Sequence, residues 1–405
     1  ESWKEIGNRT NYKKTVLNYI SLAHSYNMKT LSYNLLFGAL EDAKADGVKD
    51  EWFMYMDKNH QNKEIFALPK PPFKSDIFFT DPSNVEWQNY IGAKTKEAFE
   101  VYPFDGYQVD QVGNRDKKLY DYSGTLIDLP ATYRSFMESM KKQMPDKLLV
   151  MNAVTQYGQE KSISKSPVNF LYSEVWAPDE EFKDLARIIQ ENDRWSNDQK
   201  KSVLCAYMNY DIAGEKGWFN KPGVLFTNAV IFSFGGAHLE LGEHMLGREY
   251  FPNNNLQMTA DLEKAMIVYY DFLTGYENLL RDGGTFNTVL LNCTNDKMKL
   301  AAWPPQSGHV SVQGKKVGTK QILHFINFAN ANSFQWRDAK GTQPAPKTIT
   351  NAIIEANISQ KVSKVWVASP DINYGIPQTL DFTQKGSTLT FTLPELKYWD
   401  MLVIE

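Results

Sequence analysis

The sequence predicts a parallel (β/α)8 TIM barrel followed by an antiparallel β-sandwich. Three observations carry this prediction. Apolar strand-like runs alternate with helical patterns over about 240 residues. Acids or amides stand where several of these runs end, and from about Gly284 the helical patterns give way to short alternating runs divided by turn residues. The expected domains are therefore a barrel over residues 1–283 and a sandwich over residues 284–405.

The barrel prediction depends on a succession of βα units. In chain order the patterns predict a helix at 10–27, a strand at 28–37, strand-like runs at 52–56 and 76–80, a helix at 85–100, a strand within 104–113, a helix at 130–144, strands at 148–154 and 169–176, a helix at 178–192, a strand at 202–209, apolar residues at 224–234 leading to 235–240, and a helix at 259–280.

Counting one strand per unit gives seven, near residues 30, 54 or 77, 107, 150, 172, 205 and 238. A closed barrel needs eight strands. We therefore expect the first strand upstream of Glu1, and an open seven-stranded sheet is the alternative.

The sandwich prediction depends on short runs with alternating apolar residues. They lie at 288–291, 300–303, 321–328, 361–366, 388–392 and 401–404. Residues 338–348, which include a glycine and two prolines, are expected to form a surface loop.

Composition narrows the class of protein. The chain has 405 residues, 42% of them hydrophobic, and a formal net charge of −4. It can bury a large core and offers no basic surface for nucleic acid. No apolar run is long enough to span a membrane, and no Cys or His spacing indicates a zinc site. Cys205 and Cys293 stand in apolar runs and are expected to be buried free thiols; we expect no metal and no cofactor.

Two acids at strand ends are the candidates for catalysis. Asp110 ends the short strand that begins near Gly106, and Glu174 ends a later strand. Carboxylates on nearby strand tips can meet across a pocket, and glycoside hydrolysis requires such a pair. A structural ion pair or a helix cap is the alternative interpretation.

Alternation along these strands predicts which neighbours share the acids' face. Gln108 should lie beneath Asp110, while Tyr107 should face the helices. Asp105 stands at the opposite end of the strand, where we expect a structural role. Ten residues are added as candidate sugar contacts, with support behind the site as the alternative for the polar ones: Tyr107, Gln108, Asn34, Asn152, Tyr172, Trp176, Asn209, Asp211, His238 and Glu240.

Residues 104–113 and 171–176 resemble motifs of glycoside hydrolase family 66, the family of dextranases and cycloisomaltooligosaccharide glucanotransferases. The resemblance extends to residues 7–10, 33–39, 206–210 and 235–242. The family motif often has Trp, Gly and Thr where this chain has Tyr107, Val109 and Gln111. Both acids are in place, so these departures concern the shape of the sugar subsites.

The resemblance implies a retaining mechanism on α-1,6-linked glucan. Asp110 would be the nucleophile and Glu174 the general acid and then base, with carboxyl groups about 5 to 5.5 Å apart. Tyr172 and Trp176 are expected to make Glu174 less acidic. Dextran and isomaltooligosaccharides are the implied substrates, and the implied location is secreted, periplasmic or at the cell surface. The family also implies an upstream fragment that carries the first barrel strand and an N-terminal β-domain.

The length of one loop separates two activities within the family. Transferases that make cyclic products resemble the dextranases but carry an inserted carbohydrate-binding module, whereas here only a short loop joins Tyr210 to Leu225. This favours endo-hydrolysis of dextran over cyclisation. The alternatives are a cycloisomaltooligosaccharide glucanotransferase, a non-catalytic glucan-binding protein and an α-1,4-acting enzyme.

Overall fold

The computed structural model describes residues 1–239, 247–249 and 255–405. The chain divides into two compact units, the first formed by residues 1–174 and 195–200 and the second by residues 175–194 and 201–405. The predicted boundary between residues 283 and 284 stays a prediction. Cys205 and Cys293 are both buried and belong to no disulfide, as expected.

The first unit combines short strands with three helices. Its elements are β1 (Ser2–Lys4), β2 (Thr10–Tyr12), α1 (Lys13–Ser25), β3 (Leu31–Leu35), β4 (Ile65–Phe66), β5 (Ile77–Phe78), α2 (Val85–Val101), β6 (Gly106–Asp110), β7 (Leu119–Tyr120), β8 (Leu126–Ile127), α3 (Leu129–Gln143), β9 (Leu148–Val154) and β10 (Leu171–Glu174), with 3-10 helices at Ala43–Asp46, Asp50–Trp52 and Ile163–Lys165.

The elements after residue 174 begin with helices and end in antiparallel strands. They are α4 (Phe182–Trp195), β11 (Ser202–Cys205), β12 (Gly217–Trp218), α5 (Lys221–Ser233), β13 (Ala237–His238), β14 (Leu256–Gln257), α6 (Ala260–Gly275), α7 (Glu277–Leu280), β15 (Thr285–Asn287), β16 (Leu291–Cys293), β17 (Leu300–Ala302), β18 (Val310–Val317), β19 (Lys320–Ile326), β20 (Ile349–Asn357), β21 (Val365–Ala368), β22 (Gln378–Leu380), β23 (Phe382–Lys385), β24 (Thr388–Leu396) and β25 (Trp399–Ile404), with 3-10 helices at Tyr210–Ile212 and Asn373–Gly375.

Four parallel strands of the first unit pair in chain order, β3 with β6, β6 with β9 and β9 with β10. Strand β9 is buried on both faces, as its continuous apolar sequence predicts. The register places Leu35 opposite Asp110, Val109 opposite Met151 and Asn152 opposite Tyr172. Asp110, Asn152 and Tyr172 therefore lie on one face of this sheet.

The prediction of a parallel strand near residue 54 or 77 is wrong. Residues 77–78 form β5, which pairs antiparallel with β4 and does not join the parallel sheet. Residues 52–55 are apolar because their side chains, all at most 5% exposed, fill the core of the first unit as a 3-10 turn and loop. Strand pairing does not explain their hydrophobicity, so the count of seven strands was one too many.

The second unit contains two short parallel pairs, β11 with β13 and β12 with β14, and two large sheets. One sheet has the order β15-β18-β19-β25-β21-β22, with β17 beside β18, and the other has the order β16-β20-β24-β23. Leu323 and Phe325 of the first sheet and Ile354 and Phe391 of the second share one core, which is the packing of a β-sandwich. Residues 338–348 contain no strand, as predicted.

The strand pairings of the described residues do not establish a closed barrel. Parallel strands in chain order, with helices between them, are present as the sequence predicts. Across the same residues, no helix is both long enough and apolar enough to cross a membrane.

Candidate active site

One amide group links the two candidate acids in the first unit. Asp110 is the last residue of β6 and Glu174 the last residue of β10, and Asn152 lies on β9 between them. Asn152 Nδ2 donates one hydrogen bond to Asp110 Oδ1 and one to Glu174 Oε2, each at 2.8 Å. The three strand ends thus bring both carboxylates to a single polar group.

This bridge limits the distance between the acids. Because each oxygen lies 2.8 Å from the same nitrogen, Asp110 Oδ1 and Glu174 Oε2 can be no more than twice that distance apart. The two hydrogens of a planar amide point about 120° apart, which gives a separation of about 5 Å. A separation in this range suits direct attack by one carboxylate better than the wider gap that admits a water molecule between substrate and base.

The orientation of the Asn152 amide follows from its surroundings. Its nitrogen faces two carboxylates, while its Oδ1 is buried without a hydrogen-bond partner among the described residues. The reversed amide would place an acceptor against two acceptors. The side chain is 4% exposed and is held by the sheet on both sides, so the bridge is part of the folded strand edge.

Tyr33 is a second side-chain donor to Asp110. Its hydroxyl donates to Asp110 Oδ2 at 2.6 Å, although the side chain itself is 62% exposed. The sequence prediction missed this residue and chose Asn34 instead. Register explains the error: Leu35 pairs with Asp110 and Tyr33 with Gln108, so Tyr33 shares the face of the acid and Asn34 does not.

Burial raises the pKa of the Asp110 carboxyl above its ordinary value of 3.8. Hydrogen bonds from Tyr33, Asn152 and the backbone N–H of Gln111 act in the opposite direction, because each favours the ionised form. The three donors limit the rise in the Asp110 pKa, and burial determines its net direction.

Gln111 anchors the chain that follows Asp110. Its side chain is 2% exposed; Nε2 donates to the backbone oxygens of Asn152 and Tyr157, and Oε1 accepts from the backbone of Gly113 at 2.7 Å. Gly113 has φ +76°, a conformation that favours glycine. The motif residue Gln111 thus supports the turn after the acid and does not face a sugar.

Asp105, at the opposite end of β6, has the structural role expected of it. Its Oδ2 accepts from the backbone N–H of Thr30 at 2.7 Å and lies 2.9 Å from His24 Nε2, and Lys29 is 3.4 Å from Oδ1. Burial acts to raise its pKa, but these contacts outweigh burial and lower the pKa to about 2. Asp105 therefore joins α1, β3 and β6.

Three other candidates of the first unit differ in their surroundings. Tyr107 is 1% exposed and belongs to the core, where its hydroxyl donates to Leu35 O, so it faces the helices and is not open to a sugar. Gln108 is partly buried on the face of Asp110, and Tyr172 is 8% exposed beside Asn152. Only the last two share the face of the acids.

Two candidates in the second unit, Asn209 and His238, are buried and hydrogen-bonded to other groups of the protein. Asn209 is fully buried; its Nδ2 donates to Asp338 O at 2.6 Å and its Oδ1 accepts from Asn220 N. His238 is 3% exposed, with ring nitrogens 2.8 Å from Asn228 Oδ1 and Ala206 O. Both residues therefore support the fold, although the sequence analysis listed them as candidate sugar contacts.

The remaining candidates are Trp176, Asp211 and Glu240. Trp176 is half-buried against Tyr207, Tyr210 and the guanidinium group of Arg337. Asp211 is exposed on a 3-10 helix, and Glu240 lies outside the described residues. Within those residues, no group of three His, Cys, Asp or Glu side chains could hold a metal ion.

The paired carboxylates at strand ends direct attention to carbohydrate-active enzymes. A family model described as glycosyl hydrolase family 66 matches residues 1–403. The chain belongs to glycosyl hydrolase family 66. The family predicted from the motifs is confirmed, and so is the class of enzyme, a glycoside hydrolase.

Individual relatives within family 66 have two different names. A cycloisomaltooligosaccharide glucanotransferase from Niallia circulans is 25% identical over 548 residues, which cover 100% of this chain and 55% of the relative. A dextranase from Streptococcus salivarius is 24% identical over 386 residues, covering 81% of this chain and 47% of the relative. The chain thus spans about half the length of the curated relatives it matches.

A solved structure shows the same fold. The cycloisomaltooligosaccharide glucanotransferase of Paenibacillus sp., in complex with cycloisomaltoheptaose, aligns with a TM-score of 0.90 at 24% identity, covering 99% of this chain and 77% of that one.

Proposed function

We propose that this family 66 enzyme hydrolyses internal α-1,6-glucosidic linkages of dextran with retention of anomeric configuration. Asp110 is the nucleophile, and Glu174 is the general acid and then the general base. The observation that carries the proposal is the bridge of Asn152, which holds one oxygen of each carboxylate 2.8 Å from a single nitrogen.

The reaction has two steps. Glu174 donates its proton to the glycosidic oxygen as Asp110 attacks the anomeric carbon, so the bond to the leaving sugar breaks and an ester to Asp110 forms. Glu174, now ionised, then takes a proton from water, whose oxygen attacks the same carbon and releases Asp110. Two inversions at one carbon give net retention.

The contacts of Asp110 suit the first role. Tyr33 and Asn152 each donate to one of its oxygens, and they stabilise the negative charge that a nucleophile needs. Repulsion between two carboxylates about 5 Å apart favours a proton on one of them. Because the hydrogen bonds from Tyr33 and Asn152 favour the ionised form of Asp110, we assign that proton to Glu174.

The names of the relatives support an α-1,6-linked glucan as substrate. Dextranase and cycloisomaltooligosaccharide glucanotransferase both refer to this linkage, and both are matched over most of this chain. Isomaltooligosaccharides are the expected products and also the smallest substrates. Since dextran is a polymer that does not cross membranes, we place the enzyme outside the cytoplasm, either secreted, periplasmic or at the cell surface.

Cyclising transfer is the second candidate, because the transferases match the whole chain. Against it, the alignment with the Niallia circulans transferase runs over 548 residues although this chain has 405, so the relative carries segments without a counterpart here. Only a short segment connects the 3-10 helix Tyr210–Ile212 to α5. A chain without an inserted module is better suited to hydrolysis.

Substitution of each acid tests the proposal. Asp110→Asn and Glu174→Gln should each lower the rate of dextran hydrolysis by about 10³-fold or more, while Asp105→Asn, at the other end of the same strand, serves as the matched control and should stay active. NMR of the first products should show the α-anomer. Release of the β-anomer, or an unchanged rate in either acid variant, would overturn the assignment.

Product analysis separates the candidate activities. Mass spectrometry should detect linear isomaltooligosaccharides from dextran and no products from amylose. Cyclic products would favour the transferase, and cleavage of amylose an α-1,4-acting enzyme. Dextran binding without turnover would favour a non-catalytic glucan-binding protein.

We further propose that the parallel strands belong to a (β/α)8 barrel. Support comes from the pairing of β3, β6, β9 and β10 in chain order, which is the order that a (β/α)8 barrel requires.

A further inference from the structure

A cavity separate from the contacts of Asp110 lies in the first unit. Its walls come from segments that follow β3 and β6. It is open to solvent and has a volume of about 500 Å³, within the range of small-molecule sites. Its aromatic wall contains Tyr55, His60 and Tyr122, and its polar groups include Asp50, Asn62 and Lys63. None of these residues contributes to the contacts of Asp110 described above.

Three rings of this cavity form one cluster. His60 stacks on Tyr122 with ring centroids 4.1 Å apart and an interplanar angle of 23°. Tyr55 packs edge-on against both rings, at 5.9 Å from His60 and 6.0 Å from Tyr122. Tyr55 is buried, whereas His60 is exposed and Tyr122 is half-buried. The cluster therefore has a fixed base and an accessible aromatic surface.

The loop that carries His60 is held in place by one carboxylate. Asp57 accepts hydrogen bonds from the backbone N–H groups of Asn59, Gln61 and Asn62, and from the Asn62 side chain. His60 itself has φ +48°, in the left-handed region that side chains other than glycine enter at a cost. The fold thus maintains an unfavourable backbone conformation that places an imidazole ring on Tyr122.

The charged groups on the polar side of the cavity are already engaged in ion pairs. Lys63 Nζ lies 2.6 Å from Asp50 Oδ1, and Lys44 lies 2.6 Å from Asp50 Oδ2. An ionic ligand would have to compete with these pairs. A neutral molecule with several hydroxyl groups and a flat apolar face can instead bond to them while it stacks on a ring.

We propose that this cavity is a second carbohydrate site, which binds glucosyl units of an α-glucan chain away from the bond that is cleaved. The inference rests on the proposed function for the class of its ligand. The apolar face of a sugar contacts the surface of His60 and Tyr122, and its hydroxyls bond to Asp50, Asn62 and Lys63. Because its loops follow the strands that carry Tyr33 and Asp110, a polymer can occupy this site while it is being cleaved.

The test measures the affinity for dextran in an Asp110→Asn background, by affinity electrophoresis and calorimetry. His60→Gly is the main variant, because glycine accepts φ +48° and the loop keeps its Asp57 contacts. Tyr122→Ala removes the second ring, and Tyr122→Phe keeps it. Tyr26→Ala, which removes a ring that is 73% exposed on another surface, is the matched control. Thermal unfolding checks that each variant is folded.

Removal of either ring should weaken dextran binding by about tenfold, because the apolar face of the sugar loses a ring against which it stacks. Tyr122→Phe and Tyr26→Ala should bind like the Asp110→Asn parent. Unchanged dextran affinity in folded His60→Gly and Tyr122→Ala would overturn the second site, as would a parent that does not bind dextran. Hydrolysis by the wild type is measured separately, so its absence would overturn the proposed function while the binding comparison still decides the site.

Discussion

The hydroxyl group of Tyr33 donates a hydrogen bond to Asp110 Oδ2 at 2.6 Å. Tyr33 is largely exposed, whereas burial raises the pKa of Asp110. The contact therefore brings a donor to the Asp110 carboxylate from the solvent side. The predictions below begin with this pair.

Tyr33→Phe should lower kcat on dextran by about tenfold, because one charge-assisted hydrogen bond to Asp110 is lost. The Tyr33 hydrogen bond lowers the Asp110 pKa, so its loss raises that pKa. A nucleophile must be ionised, and the acidic limb of the kcat/KM profile should therefore move to higher pH. The pH–rate profile measures this, with Tyr12→Phe as an exposed control; an unmoved acidic limb would contradict the assigned contact.

Asn152→Ala should reduce kcat by about 10²-fold, the usual effect of removing a single positioned donor from a catalytic group. Both acids lose a contact at once, so Tyr33→Phe and Asn152→Ala should not be additive. Steady-state kinetics of the single and double variants tests this. If Asn152→Ala changed only KM, the side chain would be a sugar contact and not a positioning residue.

Asp105 should contribute stability that depends on acid pH. Its folded pKa of about 2 lies below the ordinary 3.8, so the contribution is complete above about pH 5 and is lost as the pH falls toward 2. Asp105→Asn should lower the free energy of unfolding by about 2 kcal/mol at pH 7. Denaturant unfolding at several pH values should show the difference between wild type and variant shrinking below pH 4; a constant difference would exclude the electrostatic cause.

Glu64→Gln should destabilise the first unit by about 3 kcal/mol, because it leaves two cations without their buried counter-charge. Glu64 is fully buried, with Arg115 at 2.7 Å and Lys117 at 3.0 Å. The control is Glu86→Gln, whose ion pair with Lys49 is exposed and should matter little. Thermal unfolding compares the two variants, and equal midpoints would contradict the argument.

The local sequence pattern predicted the strands around the two acids accurately. Strand β9 has the predicted bounds of residues 148 and 154, and Asp110 and Glu174 end their strands as expected. Alternation within β6 also placed Gln108 and Tyr107 on the correct faces. These features depend on neighbouring residues along the chain, which sequence displays directly.

Contacts between distant segments could not be predicted in this way. Tyr33 was missed because its face depends on the register between β3 and β6, and its partner Asp110 lies 77 positions further along the chain. Asn209 was taken for a sugar contact because its partner Asp338 lies 129 residues further along the chain. Residues 52–55 were taken for a strand because burial in a core and burial in a sheet produce the same apolar sequence.

In the proposed mechanism, the amide of Asn152 also influences where the proton of Glu174 resides before any substrate arrives. An amide nitrogen has two hydrogens, and here both are committed, one to Asp110 Oδ1 and one to Glu174 Oε2. With Glu174 as the proposed acid, Oε2 accepts from Asn152 and the acidic hydrogen is expected on Oε1. We then expect the leaving sugar to approach from the Oε1 side, so that a residue which takes no part in bond making would select the direction of protonation.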